Sequence, residues 1–129
     1  MSNIPHARLT IMVVEDDADS RLMMRTLLEM KGYLVIEAAN GQEAIETAER
    51  ERPHLIIMDL QLPYLNGFSV TRYVRQQEHL RGIPIIIISG HDPLHHRPLA
   101  LAAGCDEYMG KPIDFDLLEQ TLSRLLPLV

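Results

Sequence analysis

Five short apolar runs alternate along this chain with stretches whose apolar residues recur at helical spacing, and that alternation narrows the possible folds more than any other feature. The runs are "TIMVV" (Thr10 to Val14), "YLVIEA" (Tyr33 to Ala38), "LIIM" (Leu55 to Met58), "IPIIIIS" (Ile83 to Ser89) and "EYM" (Glu107 to Met109). The first, third and fourth are nearly all aliphatic without alternation, the pattern of interior parallel strands covered on both faces. Between the runs, Leu22, Met23, Leu27 and Met30, then Ala44, Ile45 and Ala48, and finally Leu117, Leu118, Thr121, Leu122 and Leu125 each form an apolar stripe on a helix. Asn40 and Asp114 stand where N-caps belong, and Gly32 and Gly104 where helices stop. Strand and helix alternate five times, which predicts an α/β fold: a doubly wound, five-stranded parallel sheet, (βα)5, with right-handed crossovers.

At 129 residues the chain is near the commonest size for one domain, and no repeat, low-complexity segment or linker divides it. Its net charge of -6 argues against direct nucleic-acid binding, which needs clustered Lys and Arg. No apolar run approaches the roughly 18 residues that cross a bilayer. "MSNIPHAR" lacks the apolar centre of a signal peptide. Cys105 is alone, so no disulfide framework is expected. A cytoplasmic protein with no membrane partner is the expectation.

In open parallel sheets, ligands bind beyond the carboxyl ends of the strands. The residues that follow the apolar runs are Glu15, Asp16 and Asp17; Asp59; Ser89 and Gly90; and Lys111 and Pro112. If the first and third strands are neighbours, their carboxylates converge, and each like-charge pair costs on the order of 1 to 4 kcal/mol depending on screening. Lys111 supplies one positive charge, which leaves three acids underbalanced. A hard divalent cation, Mg²⁺ (or Mn²⁺), answers this, because Mg²⁺ takes one or two carboxylates together with water and phosphate oxygens. Asp59, held rigidly where a buried strand meets an open loop, can then act as nucleophile toward a phosphoryl group. Lys111 would pair with one phosphate oxygen and the Ser89 hydroxyl with another.

Taken singly, each residue has an ordinary reading: a capping turn for "EDD", a turn residue for Asp59, a loop lysine for Lys111, half-buried packing for Tyr108. Their joint position at the strand ends of one sheet favours a common site. Two other functions suit the architecture. A flavin- or nucleotide-binding module would need a Gly-, Ser- and Thr-rich cradle after the first strand, where this chain has "EDDAD". An Asp-nucleophile phosphohydrolase would need a second catalytic acid close behind Asp59, where Leu60 and Gln61 stand.

The segments "VVEDD", "MDLQLPYLNG", "IIIISG" and "YMGKP", in this order, resemble the receiver domain of two-component response regulators over nearly the whole chain. The resemblance implies a flavodoxin-like sheet of order 2-1-3-4-5 in a domain spanning residues 9–126. Short tails, 1–8 and 127–129, and no output domain are expected beside it. It implies an aspartyl-phosphate switch that takes its phosphoryl group from a histidine kinase or phosphotransfer protein, catalysing only its own phosphorylation and slow dephosphorylation. Asp59 is then the phosphoacceptor, and Glu15, Asp16, Asp59 and the Gln61 backbone carbonyl are the metal ligands. Lys111 senses the phosphate, Ser89 and Tyr108 form the switch pair, and a downstream effector protein docks on the face of the fourth helix, fifth strand and fifth helix. A cis Lys111–Pro112 bond is expected on the same basis.

Two further expectations come from the residues themselves. A fourth helix begun at Pro93 would carry Pro98 in its interior, at a cost of about 3 kcal/mol. That places the helix start near Arg97 or Pro98, with His91 to His96 as a loose turn or a separate kinked piece. His91, His95 and His96 lack a completing ligand set for a metal, and Cys105 has no activating base.

Overall fold

The structure is a computed structural model that describes residues 9–126, so the expected tails 1–8 and 127–129 lie outside the described residues. The chain runs β1 Thr10–Val14, α1 Ala18–Met30, β2 Leu34–Ala38, α2 Gly41–Glu51, β3 Leu55–Asp59, α3 Gly67–Gln76, β4 Ile85–Ser89, α4 Pro93–Ala103, β5 Glu107–Gly110 and α5 Phe115–Leu125. The strands form one parallel sheet in the order β2-β1-β3-β4-β5. β1, β3 and β4 are the interior strands, and β3 and β4 are buried at every residue.

Alternate side chains explain why those runs are aliphatic throughout. Met12, Val14, Ile56, Met58, Ile85 and Ile87 point to one face, where Ala44 and Ala48 of α2, Val70 and Val74 of α3 and Ala100 of α4 cover them. Ile11, Val13, Leu55, Ile57, Ile86 and Ile88 point to the other, under Met24 and Leu28 of α1 and Leu118 and Leu122 of α5. With both faces dry, a polar residue inside these strands would be buried without a partner.

The helix ends follow local chemistry. Asp17, Asn40, Asn66, Asp92 and Asp114 each cap a helix with a side-chain oxygen accepting a backbone N–H. Gly104 closes α4 at φ 115°, a left-handed conformation that only glycine adopts without cost.

Two expectations are corrected. In α1 the stripe of Leu22, Met23, Leu27 and Met30 does not face the sheet: Met24 and Leu28 are the buried residues, and Leu22, Met23 and Met30 are exposed. This helix carries apolar residues nearly all round, so spacing alone could not choose its inner face. The fourth helix also departs from expectation. It begins at Pro93 and continues through Pro98 to Ala103, with Asp92 as its cap and His95 and His96 already inside it. The peptide N–H that Pro98 lacks would have bonded the carbonyl of Leu94, and both residues are exposed, so water can satisfy that carbonyl. Only Ala100 and Ala103 of this helix are buried. Pro98→Ala should therefore restore one helical bond and raise stability by about 1 kcal/mol, read as the midpoint of urea unfolding; an unchanged or lowered midpoint would show that the proline carries no cost here.

Candidate functional site

The parallel register brings the chemistry to one edge. Val14 pairs with Met58, so the residues that follow, Glu15 and Asp59, leave the sheet side by side. Asp59 in turn lies beside Ile88, and Ser89 beside Gly110, which sets Lys111 one residue beyond the neighbouring strand. The Lys111–Pro112 peptide is cis, as expected. The Lys111 N–H donates to the Ser89 carbonyl at 2.9 Å, fixing the fifth loop to the fourth strand.

Asp59 is buried apart from its mouth, and both carboxylate oxygens are engaged. Oδ1 accepts the Gln61 N–H at 3.1 Å, and Oδ2 accepts from Lys111 Nζ at 3.1 Å. Lys111 Nζ also reaches Glu15 Oε1 at 3.5 Å. Glu15 Oε2 accepts the Asp17 N–H at 3.1 Å, and the Glu15 carbonyl accepts from Arg21 Nη1 at 2.8 Å. Gly67 lets the returning loop pass close by: a Cβ there would stand 3.0 Å from the Asp59 carbonyl oxygen.

Glu15, Asp16 and Asp59 present carboxylate oxygens within 4.8 Å of one another, the one such grouping of His, Cys, Asp and Glu among the described residues. Burial holds the Glu15 carboxyl above its ordinary range, and the Asp59 charge adds to that against the opposing Asp17 N–H and Lys111. Burial works to lower Lys111, yet its bond to Asp59 and the charges of Asp59 and Glu15 outweigh burial and raise it, so the ammonium stays charged. One cation among three acids leaves net negative charge in a partly dry site, and a donor set made of carboxylate and carbonyl oxygens suits Mg²⁺.

The structure brings the other site residues of the sequence analysis to the same edge. Ser89 is fully buried and its Oγ accepts the His91 N–H at 3.0 Å. Tyr108 is buried and its hydroxyl donates to the His91 carbonyl at 3.2 Å. Both residues therefore grip the backbone of His91, one from each side. Sequence reasoning missed that convergence, because it depends on peptide groups that any residue would supply. It also missed the His91–His96 ring stack, with centroids 4.8 Å apart and planes inclined by 19°. The i, i+5 spacing would have been the only signal. The stack lines a shallow cavity with Gln61, Asn66 and Phe68 beside the acceptor loop. His95 pairs instead with Asp92 at 2.7 Å. Cys105 is buried, which pushes its thiol up to about 11 and leaves it unreactive.

The chain matches the model of the response regulator receiver domain over residues 11–123. It is 34% identical to the polar-differentiation response regulator DivK of Brucella anthropi, over 91% of this chain and 95% of that protein. Among solved structures, it is similar to the receiver domain of the sensor histidine kinase PA1611 from Pseudomonas aeruginosa PAO1, which has a magnesium ion coordinated in its active-site cleft. That likeness has a TM-score of 0.83 and 36% identity over 91% of this chain and 96% of that one. The receiver domain of Saccharomyces cerevisiae Ssk1, solved with the histidine phosphotransfer protein Ypd1, is another, with a TM-score of 0.83 and 26% identity over 91% of this chain and 88% of that one. With the sheet order, the acid cluster and the lysine on one edge, these matches place the chain in the response regulator receiver domain family, whose members are phosphoacceptor signalling switches.

Proposed function

We propose that Asp59 is the phosphoacceptor of this switch and that its phosphoryl donor is a phosphohistidine on a kinase or phosphotransfer protein. The contact between Lys111 Nζ and Asp59 Oδ2 carries the reading, since it sets the one ammonium of the site where a phosphoryl oxygen would arrive. An Asp59 oxygen attacks phosphorus, the P–N bond breaks, and its electron pair returns to the donor imidazole. Lys111 exchanges its bond to Asp59 for one to a phosphoryl oxygen, and Ser89 Oγ turns from the His91 N–H to another. Glu15, Asp16, Asp59 and the Gln61 carbonyl would hold Mg²⁺, whose charge offsets that on the transferred group. Slow hydrolysis of the acyl phosphate returns the switch to rest.

Ser89 and Tyr108 hold the two peptide groups on either side of the His91 Cα, so a shift of Ser89 toward phosphate releases one of the bonds that fix the β4–α4 loop. That couples the acceptor to the α4, β5 and α5 face, where a downstream effector protein would dock. The Ypd1–Ssk1 pair is the precedent for the donor side. The reading places the switch in the cytoplasm, in line with the absence, among the described residues, of any helix long and apolar enough to cross a membrane.

Acetyl phosphate with Mg²⁺ should label the protein, and peptide mass spectrometry should place the acyl phosphate on Asp59; a label at another carboxylate would overturn the assignment. Metal linkage supplies a second check. At ten times its Kd, Mg²⁺ should stabilise the folded state by about 1.4 kcal/mol and raise the melting temperature by several degrees. Asp16→Asn should remove most of that response and melt slightly higher in EDTA, because it relieves repulsion. Identical melting of both proteins with and without Mg²⁺ would count against a metal site.

A further inference from the structure

β2 carries one acid, Glu37, in an otherwise apolar strand, and the phosphotransfer chemistry does not use it. Glu37 lies beside Val13 in the β1–β2 register, on the sheet face that α1 covers. Two arginines one turn apart on α1 converge on it. Arg21 Nε donates to Glu37 Oε1 at 2.8 Å, and Arg25 Nη1 donates to Glu37 Oε2. Arg25 Nε also pairs with Glu29 at 3.0 Å, so two arginines meet two acids and the network brings no net charge. The Arg25 bond does most to hold the Glu37 carboxyl below its ordinary range, with burial opposing it and Arg21 adding to it, so this anchor stays ionised.

The other arm of Arg21 ends on the acid cluster. Its Nη1 donates to the Glu15 carbonyl at 2.8 Å. That carbonyl belongs to the peptide joining Glu15 to Asp16, two of the three acids that present their oxygens together. A peptide is planar, so fixing its oxygen fixes the Cα atoms on both sides and the directions in which the two side chains leave. Glu15 has further supports, since its N–H donates to the Ala38 carbonyl at 3.0 Å and its Oε2 accepts the Asp17 N–H. Asp16 is exposed on the open loop, and the plane that Arg21 holds is what sets its direction.

We propose that Arg21 is a positioning residue for the divalent cation: it locks the Glu15–Asp16 peptide to β2 through Glu37, so that both carboxylates stay aimed at one point. The proposal rests on the reading that Glu15, Asp16 and Asp59 hold Mg²⁺. Charge and geometry pull in opposite directions here. As a charge, Arg21 opposes a cation, and its removal leaves Glu37 less balanced, which favours metal binding. As a support, its removal lets the peptide turn and the two ligands part, which weakens binding. Geometry prevails, because Mg²⁺ demands near-ideal octahedral ligands, whereas the charge of a half-buried Glu37 is screened by solvent.

Amide NMR titrations with Mg²⁺ make the test, each at a temperature where the protein is folded. Arg21→Ala should raise the Mg²⁺ Kd about tenfold, the scale of losing a group that orients a metal ligand. Arg25→Ala removes the same unit of charge and does not touch the Glu15–Asp16 peptide, so its Kd should stay within about twofold of the parent. Arg21→Lys keeps the charge, but one ammonium cannot span both acceptors, and it should still bind about threefold more weakly. Without metal, the Asp16 amide signal should move in Arg21→Ala and stay in place in Arg25→Ala. At saturating Mg²⁺, Asp59 labelling by acetyl phosphate should return in Arg21→Ala to within about twofold of the parent, since affinity and not chemistry was lost. An Arg21→Ala Kd equal to or tighter than the parent's, equal weakening by Arg25→Ala, or an unmoved Asp16 amide would each overturn the proposal. Should Arg21→Ala fail to fold, Arg21→Lys decides, and a parent-like Kd there overturns the proposal. Parent protein that binds Mg²⁺ with a loss in Asp16→Asn but none in Arg21→Ala would leave the metal reading standing, whereas a parent that binds no Mg²⁺ would overturn that reading itself.

Discussion

Asp59→Asn should abolish phosphoryl uptake from any donor while leaving the fold intact. The amide has nearly the shape of the carboxylate, so it fits the same buried position at the end of β3 and can still accept the Gln61 N–H through its oxygen. What it lacks is the anionic nucleophile, and no other acid combines the same features. Glu15 and Asp16 sit on the loop after β1, and neither is held by Lys111 as closely as Asp59 is. Loss of labelling should therefore exceed a hundredfold, the scale seen when a nucleophile or its activating charge is removed. The variant should also be at least as stable as the parent in EDTA, because it removes the Asp59 charge that adds to burial in raising Glu15. Labelling of the variant at more than a few per cent of the parent rate would mean that another residue accepts the phosphoryl group.

The site was legible in the sequence because its residues violate what their positions require. A strand buried at all five residues has no reason to end on an acid, yet β3 ends on Asp59. The same reasoning reached Glu15, Asp16, Ser89 and Lys111, since each follows an apolar run and the parallel register then brings the runs together. Gln61 and Tyr108 were different. Gln61 meets Asp59 through its backbone, so its side-chain type carried no information, and the Tyr108 hydroxyl meets a backbone carbonyl that no residue type marks, so only the family resemblance named these two.

The fold was legible for a related reason. Strands coated on both faces need aliphatic residues at every position, so β1, β3 and β4 stood out, and the less aliphatic β2 and β5 turned out to be the edges. Legibility failed where apolar residues were in excess or a penalty could be relieved by solvent. In α1 there were more apolar residues than the core has places for, and Met24 and Leu28 won over the stripe chosen from spacing. In α4 the interior proline is real, but its unpaired carbonyl faces water, so the helix continues past it.

The largest stability effect should come from a residue that no pattern marked. Arg75→Ala should destabilise the protein by about 3 kcal/mol and lower its melting temperature by roughly 10 °C. Arg75 sits in the last turn of α3, at the end of the sheet away from Asp59. Its guanidinium donates to the carbonyls of Gly104 at 2.8 Å and Ile83 at 2.7 Å, to that of Arg81 at 3.1 Å, and to Asp106 Oδ2 at 2.9 Å. Asp106 Oδ2 in turn accepts the Ile85 N–H at 2.8 Å, so one side chain joins the end of α3, the start of β4, the end of α4 and the approach to β5. Truncation leaves the half-buried Gly104 and Ile83 carbonyls without their donor, at a cost of about 1–3 kcal/mol each, while the exposed Arg81 carbonyl and Asp106 carboxylate can turn to water. Arg75→Lys keeps the charge, but a single ammonium cannot span acceptors arranged for a planar fork, so it should recover less than half of the loss. Arg75 touches none of the site residues, so labelling of Asp59 at a temperature where the variant stays folded should match the parent. Since Ala100 and Ala103 are the only buried residues of α4, the bond to Gly104 is also a large share of what fixes that helix, and hydrogen exchange in α4 should quicken more than in α1 or α5. A melting temperature within two or three degrees of the parent, or uniform exchange across all five helices, would show that the four strands of contact are not held by this arginine.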